Sequence, residues 1–112
     1  MENQGFKEKD WKLFRKKIPE WQEAYMERLC KEYAELLEGE GKASDRFWTL
    51  EKRIKTDKKR SGVICEMSRS EMMWIIMELF NDKAITISDL EEFSDEFKET
   101  FRMFVERRVG QY

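Results

Sequence analysis

The sequence predicts an all-α fold: a compact orthogonal or bundle-like array of four or five helices plus one short helix, in a single domain over residues 1–112. Three observations carry that prediction. Trp21, Tyr25, Leu29, Tyr33 and Leu37 recur at every fourth position, the period of one helix face. Met72–Met77 is an unbroken apolar run inside a segment of helix length rather than strand length. Gly39, Gly41, Gly62 and Gly110 each fall where a helical stripe ends, so chain breakers punctuate the pattern without interrupting it.

The first element is "EKDWKLFRKKI". Trp11, Phe14 and Ile18 form an apolar stripe, and Lys9, Lys12, Arg15, Lys16 and Lys17 make a basic face. Pro19 is expected to close this helix and open the next, because it lacks an N–H and suits the first turn of a helix. The second helix then runs from Pro19 to the Gly39–Gly41 stop. Met26, Cys30 and Leu36 widen its stripe.

A third helix is expected from Ser44 as N-cap, with Phe47, Leu50, Glu51 and Ile54 tracing one face and Trp48 at its edge. Its stripe stops at Ile54, and Gly62 ends the element. "GVICEM" is too short for periodicity to decide between an extended linker and one buried strand.

Ser68 and Glu71 have capping-box spacing ahead of the Met72–Phe80 run. A helix apolar on most of its circumference belongs in the middle of a bundle. It is too short to span a bilayer, which needs roughly 20 apolar residues, so no membrane role is expected. Ser88 and Glu91 repeat the capping-box spacing and predict a helix of one or two turns. Ser94 is the expected cap of the last helix, whose stripe is Phe97, Phe101 and Val105, with Phe93 ahead of it and Phe104 beside it. Arg107 and Arg108 suit its last turn, where the helix dipole favours cations, and Gly110 is its expected stop.

Charge and composition narrow the function. The chain is 41% charged with a net charge of -2, but residues 1–60 sum to +3 and residues 61–112 to -5. There is no histidine, which removes the commonest general base and a common zinc ligand. Cys30 and Cys65, both near apolar neighbours, are expected to be buried, reduced thiols. No glycine-rich phosphate loop or calcium-loop spacing is present. The N-terminus lacks the apolar stretch and cleavage site of a secretory signal, so a cytoplasmic, non-enzymatic protein without cofactor or small-molecule substrate is expected.

Two constellations remain as candidate sites. The flank of the central helix, Met73, Trp74 and Met77, exceeds what a few short helices cover and suggests protein association, including with a second copy. The basic run Arg53, Lys55, Lys58, Lys59 and Arg60 could instead meet an acidic partner or a phosphate backbone, which makes nucleic-acid binding the alternative. A helix-turn-helix over residues 88–104 is disfavoured by Asp95, Glu96 and Glu99 on the helix that would face DNA.

The stretches "DWKLFRKKIPEWQEAYMERL", "KRIK" and "DLEEFSDEFKE" together resemble a family of small uncharacterised proteins of Gram-positive gut bacteria. Members of that family sometimes carry a transporter label, which the lack of a spanning segment argues against taking literally. The family has no assigned catalytic or ligand-binding residues, so the resemblance implies no site.

Overall fold

The computed structural model describes residues 8–110, and the side chains of residues 8–107. The start of the chain, where a secretory signal would lie, and the Arg108 side chain fall outside those residues. Four α-helices follow in order: α1 (Glu8–Glu38), α2 (Ala43–Asp57), α3 (Met72–Asn81) and α4 (Asp95–Gly110). Single 3-10 turns, Arg69–Glu71 and Ile87–Leu90, precede α3 and α4. No helix among the described residues is long and apolar enough to cross a membrane.

The largest departure from expectation is α1. Pro19 does not divide it; one helix of 31 residues runs straight through. Its buried positions Phe14, Ile18, Trp21, Tyr25 and Leu29 stay in phase across the proline, so one core face serves both halves. Pro19 and Arg15 are exposed, and the Arg15 carbonyl that loses its N–H partner can be met by water. Interior proline costs about 3 kcal/mol, whereas each fully buried large side chain returns about 1.5–3 kcal/mol.

The core gathers around α3, as its composition predicts. Met72, Met73, Ile75, Ile76, Met77 and Leu79 are all buried there. The first half of α1 packs on one side and α4 on another. Aromatic rings join them: Phe14 to Trp21 at 6.4 Å, Trp21 to Phe93 at 6.3 Å and Phe93 to Phe97 at 4.9 Å between centroids. Phe80 meets Phe101 edge to face at 5.4 Å.

Beyond Leu29 the core is left behind. The second half of α1 pairs with α2 as a helical hairpin that projects as an arm, and the molecule measures 57 × 33 × 22 Å. The expected apolar face of α2 is mostly in water: Phe47 is 60% exposed and Trp48 59%. The only residue α2 fully buries is Asp57. Cys30, expected to be buried, is exposed on the arm, because the helix turns that face away from the core, where α2 covers it only in part; both thiols are free.

Local start signals were less reliable than periodicity. α2 begins one residue ahead of Ser44, with Lys42 as its cap and no capping side chain. Ser68 bonds Ser70 at 3.1 Å instead of closing a box with Glu71. The box ahead of α4 forms two residues earlier than the Ser88–Glu91 spacing suggests, between Thr86 and Asp89, since the chain there makes a 3-10 turn. Ser94 caps α4 as expected, its Oγ accepting from the Phe97 N–H at 3.1 Å. "GVICEM" is a linker, not a strand: a turn closes at Val63, and Ile64 lies in water.

Gly62 in that turn is fixed by packing. A Cβ there would lie 2.4 Å from Cδ2 of the buried Tyr25 ring. Gly62→Ala is therefore expected to cost about 1–3 kcal/mol through overpacking. Gly39→Ala, whose Cβ would meet nothing nearer than 3.4 Å, should not lower the urea midpoint. Paired urea melts check the contrast.

Candidate functional site

α3 and α4 leave a groove of about 500 Å³ between them, lined by Met73, Trp74, Met77, Phe104 and Arg107, with Ser70 and Glu71 at its edge. The three residues singled out on the flank of the central helix thus share one depression, but not equally. Met73 and Met77 are 7% and 5% exposed; they form the floor and belong to the core. Trp74 is 55% exposed and forms the wall. The helical period explains the division, since Trp74 lies on the face of α3 opposite the buried Ile76. Phe104 joins the site from α4. Its place beside the α4 stripe does not fix which way it points, and in the fold it faces outward at 38% exposure.

The basic run is divided differently. Asp57, buried at the end of α2, accepts a hydrogen bond from the Tyr33 hydroxyl at 2.5 Å and pairs with Arg53 and Arg60, each at 3.4 Å. Arg53 also reaches Glu32 at 2.9 Å and stacks over Tyr33, while Arg60 reaches Asp82 at 3.0 Å. Arg28 donates to the carbonyls of Lys83 and Asp82 at 2.6 and 3.1 Å and covers the Tyr25 ring at 4.8 Å. These bonds tie the arm to the end of α3. Arg53 is held in ion pairs within the arm, and Arg60 in pairs that reach the end of α3. Lys55 pairs with Glu51 at 3.3 Å in water, and only Lys58 and Lys59 of the five lack an ion pair among the described residues.

This carboxylate-centred cluster was not legible in sequence, because an aspartate among six cations reads as part of a solvated face. Its electrostatics are distinctive. Burial first, then the hydrogen bond to Asp57, pushes the Tyr33 hydroxyl up to about 12 from 10.0. Burial and the nearby Asp82 also raise Tyr25, and Asp82 raises Arg60. Tyr33 holds its proton more tightly folded than unfolded, so its stabilising contribution is intact below pH 10 and is lost as pH rises from about 10 toward 12. The stability advantage of wild type over Tyr33→Phe should shrink across that window, read from urea melts at successive alkaline pH values.

Among the described residues, no group of three or more His, Cys, Asp or Glu side chains converges in a way that could hold a metal ion. Burial raises the Cys65 thiol, partly opposed by the Gln22 amide at 3.6 Å, so it is a weak nucleophile at neutral pH. The segment ahead of α4 is one 3-10 turn, too short to serve as the first helix of a helix-turn-helix. No protein family, curated protein or solved structure matches the chain.

Proposed function

We propose that this chain acts by non-covalent association with another protein, as a small cytoplasmic accessory or regulatory factor, through the groove between α3 and α4. The observation that carries the reading is Trp74. It stands in water above a floor of two buried methionines, with Phe104 across from it, on a helix otherwise given to the core. A groove between two helices with an aromatic wall suits one amphipathic helix of a partner, laid in with apolar side chains at i and i+4. Methionines adapt to irregular shapes, and tryptophan is the side chain most enriched at energetic centres of interfaces. Glu71 and Arg107, which also line the groove, would orient that helix by charge. Free thiols at Cys30 and Cys65 fit a reducing compartment.

Contact with nucleic acid through residues 52–60 ranks below this reading. Arg53 and Arg60, its best phosphate-binding side chains, already pair with carboxylates.

The test is comparative pull-down from the native cell with wild type and Trp74→Glu. Because Trp74 is exposed, the variant should melt within about 1 kcal/mol of wild type. Loss of one defined partner on W74E supports the groove. Equal capture by both forms, or by neither, counts against it.

A further inference from the structure

We propose that the arm is a self-association surface, on which α1 of one copy lies over α2 of a second copy of this chain to close a four-helix bundle. This surface is distinct from the groove at Trp74.

The arm carries an uncovered apolar stripe. Met26, Cys30 and Leu37 share one side of α1, since spacings of 4 and 7 return to nearly the same angle at 100° per residue. On α2, Ile54 lies seven residues after Phe47, on one side of that helix. The two sides face the same way, because Met26, Cys30 and Ile54 line one shallow depression together with Val63. Tyr33 to Asp57, Glu32 to Arg53 and the Arg46 guanidinium on the Leu37 carbonyl set the antiparallel register, which brings Leu37 level with Phe47. The stripe therefore runs the length of the hairpin. Leu37 and Ile54 are each 42% exposed, and Phe47 stacks edge-on with Trp48 at 4.9 Å in open solvent. A 15-residue helix that buries one aspartate gains little from its own chain, and helices of that length are marginal alone.

Charge identifies what covers the stripe. Residues 20–40 hold seven acidic and two basic side chains, whereas residues 42–60 hold eight basic and three acidic. Beside the stripe, Glu23 and Glu27 on α1 and Lys58 after α2 lie in no ion pair among the described residues. The antiparallel register places Glu27 level with Lys58. A two-fold axis along the arm sets each acidic edge against the basic edge of the other copy. An axis across the arm would set α1 on α1, acid on acid, and is rejected by the same charges. One surface is thus both apolar and complementary to itself.

Sedimentation equilibrium of the full chain over micromolar to submillimolar concentration tests the proposal, with charge-swapped variants. Wild type should approach twice the monomer mass, and added salt should weaken the association. Glu23→Lys with Glu27→Lys, and separately Lys58→Glu, should each stay monomeric with unchanged helicity, because every position is exposed. Mixed in equal amounts, the two variants should form a heterodimer. Trp74→Glu should dimerise like wild type. A wild type monomeric throughout, a mixture that stays monomeric, or a dimer abolished by W74E would each overturn the arm as the interface. Failure here leaves the groove reading standing, and loss of partner capture through Trp74 leaves this one standing.

Discussion

Replacing Ile76 by alanine is expected to destabilise the fold by about 2–5 kcal/mol, because three methylene-equivalents leave a site that cannot collapse. Ile76 is fully enclosed, on the same helix face as Met72 and Leu79, which are likewise at 0% exposure. It belongs to one continuous cluster with Phe14 from α1 and with Phe97 and Phe101 from α4. Domains of this size hold only about 5–15 kcal/mol of net stability, so the substitution removes a large share of it. Thermal midpoints should fall by about 4–8 °C for each kcal/mol lost. Trp74→Ala on the same helix is the control, since that side chain is more than half in water. If Ile76→Ala moved the urea midpoint no further than Trp74→Ala does, α3 would not be the centre of the core.

Asp10→Ala should cost about 2–4 kcal/mol, a large loss for a residue at a helix start. The Asp10 carboxylate is fully buried and accepts the Ser94 N–H at 2.8 Å and the Ser94 hydroxyl at 2.6 Å. That hydroxyl in turn accepts from the Phe97 N–H, so it relays between the carboxylate and the first turn of α4. A negative group at a helix N-terminus is favoured by the dipole as well. Alanine would leave the Ser94 N–H buried without a partner. Asp10→Asn keeps the volume and one acceptor oxygen and should cost less than alanine. A double-mutant cycle with Ser94→Ala reads the contact directly: coupling of about 0.5–3 kcal/mol is expected, and additive losses would show that the relay contributes nothing.

These two positions mark how far the chain's own pattern reaches. Ile76 was identifiable as core from the apolar run around it, because helical period and hydrophobicity are properties of adjacent residues. The role of Asp10 was not. It lies four residues before Phe14 in phase with the buried stripe of α1, but its partner is 84 positions away. Its phase alone marked the position as inward, and nothing local named Ser94 as what it meets there. Asp57 was hidden for a similar reason: beside its local neighbours Arg53 and Arg60, its burial depends on Tyr33 of α1, 24 positions away.

The candidate surfaces divide along that line too. Met73, Trp74 and Met77 could be grouped from spacing alone, yet which of them faces water depended on where α4 packs. The apolar stripe of α2 was visible in sequence and was expected to be covered. The reach of α1 decided otherwise, since a continuous helix carries α2 beyond the core. Pro19 suggested a break because proline removes one hydrogen bond locally. The helix continues because the burial on both sides of it outweighs that loss.

By itself the sequence determined the helical class, the central position of Met72–Leu79, the Ser94 cap and the segregation of charge between the two halves of the chain. All of these follow from period, composition and neighbouring residues. Tertiary structure alone decided the uninterrupted α1, the projecting arm, the buried carboxylates and the sharing of groove residues between floor and wall. Each of those depends on which distant side chains meet, and hydrophobic period says that a face is covered without saying by what.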